Sequence, residues 1–371
     1  MKASLVLVFL LSLSYISLAQ NSGKTQNLVI VTLDGFRWQE VFRGADRKLI
    51  NAKRFNSDRK GLKRKFWSTT AQERRKLLLP FFWSTLANEG QIYGNRDNGS
   101  KSEVANPHYF SYPGYNEIFT GFPDAGVNSN DKILNNNTNV LEFINSQADF
   151  KNKVAVFTSW DVFPWILNEK RSGLLINSGL ENLEISDNKE FGLLNDLQHR
   201  SHNIAGDSVR LDALTYQFGK QYMKDYQPRV VYLAFDETDD LAHAGNYKLY
   251  LEQANKQDGM LDDLWAFIQS DDFYKNKTTL IITSDHGRGD NVLGSWKNHG
   301  FPIRSSKETW FAVIGPDTLP SGEIGQNQTV YQKQLAQTMA KFLGLDFKSN
   351  AGHEVGDAIE FVFSNPTFAS E

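Results

Sequence analysis

The segment TTLIITSDHG, residues 278–287, sets a short apolar and β-branched run directly against a Ser-Asp-His-Gly turn. A run of this length without apolar–polar alternation suits a strand buried on both faces of a sheet. The pattern recurs in NLVIVTLDG (27–35), KVAVFTSWD (153–161) and RVVYLAFDETD (229–239), with TWFAVIGP (309–316) as a fifth run. Helical patterns separate these runs: AQERRKLLLPFFWSTLANEG (71–90), preceded by a capping box from Thr70 to Glu73, then TNVLEFINSQ (138–147), DSVRLDALTYQFGKQYMKD (207–225), YKLYLEQANKQDGMLDDLWAFIQ (247–269) and VYQKQLAQTMAKFLG (330–344). Buried strands alternating with helices predict an α/β fold: a three-layer sandwich with a mostly parallel central sheet, carrying loop insertions. The insertions fall at about 42–77 and 162–205. In such sheets ligands bind beyond the carboxyl ends of the strands.

The chain has 371 residues, 40% of them apolar and 22% charged, enough for one large core. Residues 1–20, MKASLVLVFLLSLSYISLAQ, read as a signal peptide: an early lysine, a short apolar stretch and small residues near Ala19. Residues 21–371 then form one catalytic domain with no membrane span after cleavage. There is no cysteine, hence no disulfide framework and no lipid-modified cysteine. These features predict an exported bacterial protein, periplasmic or secreted, and carry no signal for its oligomeric state. A net charge of −3 argues against a nucleic-acid partner. That charge is uneven: residues 43–76 hold thirteen Lys/Arg and three Asp/Glu, a local +10 against −13 elsewhere. The segment is either a solvated insertion or a collar that draws anionic substrates.

Acids and imidazoles collect where the strands end. Asp34 closes the first run, Asp239 the third, and Asp285-His286 the fourth. His243 stands four residues after Asp239, on the same face if that stretch is helical, and His299 follows in WKNHG. Singly these are ordinary turn residues; at one sheet edge they converge. Mixed Asp and His donors suit zinc or a similar ion better than calcium or magnesium, which favour oxygen alone. Three Asp and three His exceed one tetrahedral shell, which predicts two divalent ions. By contrast Asp258, Asp262 and Asp263 read as exposed helix positions. Ser111, in HYFSYPGYNEIFTG (108–121), stands at a helix start with no G-x-S-x-G elbow, and alone it is either a nucleophile or a loop residue.

The ordered set LVIVTLDGFR, DDLAH, ITSDHG and NHG resembles the alkaline phosphatase superfamily, in particular its type I phosphodiesterase/nucleotide pyrophosphatase branch. SYPG takes the place of that family's T-x-P-type nucleophile turn. The resemblance implies that Ser111 is the nucleophile, bound to one metal with Asp34, Asp285 and His286, while Asp239, His243 and His299 hold the other. It further implies an anionic phosphate-ester substrate, a phosphoserine intermediate and two zinc-like ions. Metal activation then removes the need for a histidine base, so His108, three residues before Ser111, is not expected to serve as one.

Two departures bear on substrate. The branch places an Asn shortly after the nucleophile to bind a phosphoryl oxygen; Gly114 stands there, leaving Asn116 or a backbone N–H as substitutes. Monoesterases add cations that grip the extra charged oxygens, and Lys170 and Arg171 of NEKRSG are the expected candidates, with Arg288, Lys297 and Arg304 as others. A sulfatase is the nearest alternative, but its C/S-x-P-x-R signature meets Tyr115 where the arginine belongs. A non-catalytic protein holding an anionic glycan through the basic collar is the alternative from a different class.

Overall fold

The computed structural model describes residues 24–186, 188–201, 206–290, 294–349 and 352–363; the expected signal peptide lies outside them. The described residues form strands β1 (Asn27–Leu33), β2 (Gln91–Tyr93), β3 (Ser100–Glu103), β4 (Val154–Thr158), β5 (Leu175–Ser178), β6 (Val230–Phe235), β7 (Thr278–Thr283), β8 (Glu308–Thr309), β9 (Phe311–Ile314), β10 (Gly322–Glu323) and β11 (Gln328–Tyr331). Eight make one sheet in the order β10-β2-β9-β7-β1-β6-β4-β5; β11, β3 and β8 make a small second one.

β1 lies between β6 and β7, parallel to both, with Leu33 opposite Phe235 and Thr32 opposite Thr283. β4 and β5 extend the parallel run. Every residue of β1, β6 and β7 is buried, which is why their sequences do not alternate. Successive side chains still point to opposite faces: Leu28, Ile30 and Tyr232 enter one core, Val29, Val31 and Leu233 the other. Helices Ser111–Thr120, Val140–Ser146 and Leu335–Phe342 cover the first face, and Asp212–Tyr226 and Tyr247–Ser270 the second. This is the expected three-layer arrangement. Among the described residues no helix is long and apolar enough to cross a membrane.

Four expectations need correction. The fifth run enters antiparallel, as β9 beside β7; the described residues between them form only short 3-10 turns and β8, not the crossover helix a parallel entry requires. The third run ends at Phe235, so Asp239 does not close a strand but lies in the first turn of helix Glu237–His243. Region 162–205 holds β5 and helix Lys189–Arg200; the apolar Leu174–Ile176 is too short to stand out as a strand. Asp258 is buried rather than exposed, accepting the N–H groups of Phe81 and Phe82 at 2.8 and 3.1 Å, and burial lifts its carboxyl to about 7. The capping box at Thr70 and Glu73 is present as expected.

The helix Ser111–Thr120 is anchored from behind by Glu117, which is fully buried. Its carboxylate accepts the N–H of Ala105 at 2.9 Å, of Asn106 at 2.8 Å and of Lys333 at 3.0 Å, together with the Asn106 amide. Replacing it by alanine strands three backbone donors, one buried and two partly buried, a buried one being worth about 1–3 kcal/mol when unmet, and also the buried Asn106 amide. Glu117→Ala is therefore expected to lower stability by about 3 kcal/mol or more, read by urea denaturation.

Candidate metal centre

Because β7, β1 and β6 are parallel neighbours, the turns that follow them open on one edge of the sheet. Asp285 and His286 follow β7, Asp34 follows β1, and the helix after β6 presents Asp239 and His243 one turn apart. Two groups of donors result: Asp34, Asp285 and His286, all buried, and Asp239, His243 and His299, partly open; in each the donor atoms lie within 4.8 Å of one another. His286 Nε2 is 3.4 Å from both Asp34 Oδ1 and Asp285 Oδ2. His243 Nε2 is 3.0 Å from Asp239 Oδ2 and 2.9 Å from His299 Nε2. Asp239 Oδ1, 3.8 Å from His286 Nε2, links the groups. Ser111 Oγ stands 3.3 Å from His286 Nε2. The structure thus brings together all seven residues predicted for metal and nucleophile.

The electrostatics are those of a cation site. Burial pushes the Asp34 and Asp285 carboxyls well above the usual range, and neighbouring carboxylates push them further. Burial, with His286 alongside, lowers the His299 imidazole to about 2, leaving it neutral and able to ligate. Asp34 Oδ1, Asp285 Oδ2 and His299 Nδ1 are buried without a hydrogen-bond partner. Such atoms are costly unless satisfied, and this donor set fits divalent ions of the zinc type.

Glycine is required where these turns meet. Gly35 has φ +56°, and a Cβ there would lie 2.5 Å from Asp239 Oδ1 and 2.6 Å from Arg288 Nη1; its N–H reaches Asp285 Oδ1 at 3.0 Å. A Cβ on Gly114 would lie 2.5 Å from the Asp285 carbonyl oxygen. The helix bearing Ser111 rests directly on the ligand turn at this point, so an asparagine cannot stand there. Tyr115 instead donates its hydroxyl to Asp34 Oδ2 at 2.8 Å, orienting that carboxylate.

Ser111 is the first residue of its helix, whose start carries no side-chain cap of its own. Asn106 Oδ1 accepts the N–H groups of His108 and Tyr109 and shapes the preceding turn. Tyr109 sits there at φ +58°, a left-handed conformation costing a bulky residue about 1–3 kcal/mol. The N–H of Tyr112 donates to Asn130 Oδ1 at 3.0 Å, which sets the exposed Asn130 carboxamide beside Ser111. Asn130 carried no local signal, since the pairing spans a loop. His108 Nε2 faces the Ala125 carbonyl oxygen at 2.9 Å rather than Ser111.

The substrate contacts expected from sequence are placed differently. Asn116 is buried, donating to the Phe122 carbonyl and accepting from Asn135 and Asn137. The Arg171 guanidinium is held by Glu142 and the carbonyls of Asn135, Asn136 and Asn137. Lys170 is exposed on the same short helix. Arg288 is the cation at the centre, fully buried, its guanidinium against Asp239 and donating to the carbonyls of Trp296 at 3.1 Å and Lys297 at 2.6 Å. Burial raises the Asp239 carboxyl, but Arg288, His299 and His243 outweigh it and hold the group well below the usual range.

The fold and this centre define an alkaline-phosphatase-like enzyme. Alkaline phosphatase PafA is similar over 92% of this chain and 99% of its own, at TM-score 0.60 and 11% identity. The phosphonate monoester hydrolase of Agrobacterium radiobacter matches over 91% of this chain and 77% of its own, at TM-score 0.56 and 11% identity. A 2-O GAG sulfatase, BT1596, covers 90% and 73% at TM-score 0.54 and 12% identity. No curated protein matches in sequence. The type I phosphodiesterase/nucleotide pyrophosphatase model matches residues 46–304, and the chain belongs to that family, within the alkaline phosphatase superfamily. It is a hydrolase of phosphoric ester bonds.

Arg288 ties the segment bearing His299 to the helix bearing Asp239. Arg288→Ala leaves the buried Trp296 carbonyl and the partly buried Lys297 carbonyl unmet and Asp239 without its counter-charge, changes worth about 3–5 kcal/mol together. The expected result is a lower melting temperature and faster hydrogen exchange at residues 294–299, measured by mass spectrometry.

Proposed function

We propose that this chain is an exported phosphodiesterase that uses Ser111 as its nucleophile and two divalent, zinc-like ions as its cofactors. The observation that carries the reading is the pairing of two Asp/His groups with Ser111 Oγ at a helix start, where two carboxylate oxygens are buried without partners. Bound in the two groups, divalent ions supply activation of the serine hydroxyl and neutralisation of charge on the leaving oxygen. Asp34, Asp285 and His286 would hold one ion, and Asp239, His243 and His299 the other.

Ser111 Oγ, its proton lost to solvent, attacks phosphorus in line, forming an Oγ–P bond as the bond to the departing alkoxide breaks and that alkoxide takes up a proton from solvent. Water then attacks the esterified phosphoserine, the Oγ–P bond breaks, the phosphate monoester is released and Ser111 Oγ regains a proton. The first turn of the helix directs its dipole at the phosphoryl group, and Tyr115 fixes Asp34 through its hydroxyl. The Asn130 carboxamide, rather than Asn116, is the side chain set to donate to a phosphoryl oxygen. A diester is favoured because it carries less charge at phosphorus than a monoester, and Arg171 and Arg288 are both engaged by protein groups.

Purified protein is expected to hold about two zinc-like ions per chain; one calcium and no zinc would point to a sulfatase. Aryl phosphodiester turnover should exceed that of aryl phosphate and aryl sulfate. Ser111→Ala should lose the covalent phosphoenzyme and on the order of 10³-fold or more in turnover; full activity would remove the nucleophile assignment.

A further inference from the structure

The basic segment 43–76 is an ordered part of the fold. It forms helices Arg47–Asn51, Arg59–Phe66 and most of Ala71–Leu78, and turns its apolar side chains inward: Leu49, Ile50, Phe55, Leu62 and Phe66 belong to the core under β1. Its three acids are used locally. Asp46 and Asp58 cap the first two helices, and Glu73 closes the capping box of the third. Of the thirteen cations, Arg43 pairs with Asp97 and Arg75 with Glu323; among the described residues the other eleven have no carboxylate partner. Ten of those eleven are exposed. The face also adjoins the metal centre, because Phe55 packs edge-on against Trp296 at 5.3 Å, three residues before His299.

We infer that this face is a docking surface for a linear anionic polymer with repeated sulfate or phosphate groups on sugar or polyol units. Such a charge excess is more than one phosphate ester could neutralise, and concentrating it on one face while the rest of the chain is acidic gives it reach and direction. Release of counterions from the polymer supplies the binding free energy. A membrane surface is the poorer fit, since interfacial helices offer lipid an apolar face and here that face is turned into the core. A nucleic acid is also the poorer fit, because single-strand binding relies on exposed aromatic platforms. Phe55 and Phe66 are buried, and Trp67 lies under Arg74.

The test uses the mature protein and fluorescein-labelled dextran sulfate, followed by anisotropy from 50 to about 300 mM salt, a range in which such contacts weaken steeply. Binding should fall with salt, be absent for neutral dextran, and weaken at least about tenfold in Lys60→Glu/Lys63→Glu/Arg64→Glu, a set of exposed positions distant in role from the metal ligands. Melting temperature and small aryl ester turnover should be unchanged in that variant. Wild-type affinity in the triple variant overturns the inference. So does tighter binding, at matched charge, to phosphatidylglycerol vesicles or to duplex DNA. The inference stands apart from the proposed chemistry: absence of aryl phosphodiester turnover with retained polymer binding would remove the proposed phosphodiesterase reading and leave the docking face.

Discussion

Everything at the carboxyl edge of the sheet follows from one constraint, the confinement of several carboxylates close together in a largely buried space. Asp34 and Asp285 lie in the turns after β1 and β7, Asp236 directly follows β6 and Asp239 lies in the helix beyond it; on top of burial, Asp34 and Asp239 both push the Asp236 and Asp285 carboxyls up, and Asp239 does the same to Asp34. Charges this close in a poor dielectric are tolerable only if protonated or matched by cations. Arg288 matches one of them. The remaining demand is for further cations, and the same crowding explains the glycine at position 35, where a Cβ would meet Asp239 and Arg288.

Ser111 is positioned by the same packing. Gly114 lets the Ser111 helix rest on the backbone of Asp285, Tyr115 reaches across to Asp34, and Glu117 fastens the helix to two other segments. Three successive jobs in one short helix fix the serine relative to the ligands before any substrate arrives. The residues that would have named a substrate by motif are absent because their positions are used for this alignment.

The strands and the clustering of Asp and His residues beyond them were legible in sequence because burial on both faces and position at strand ends leave local marks. TTLIITSDHG and NLVIVTLDG carry both signals in one stretch. Asp239 was found by its spacing to His243 although its place in a helix was not. Asn130, the role of Tyr115 and the engagement of Asn116 and Arg171 were not legible, because each depends on contacts between segments distant in the chain. The burial of Asp258 escaped for the same reason: its partners, Phe81 and Phe82, are 177 and 176 positions away.

The support behind the Ser111 helix has a consequence for how the chain can be cut. Gln332 donates to the carbonyl of Ser284, Lys333 to Glu117, and Gly356 to the carbonyl of Gly121, while helix Leu335–Phe342 packs in the same core as the serine's helix. All of these lie beyond residue 304, where the family match stops, just as Asp34 lies before it begins. The folded unit is therefore larger than its recognisable stretch: trimming to residues 46–304 would remove Asp34 at one end and the backrest of the Ser111 helix at the other.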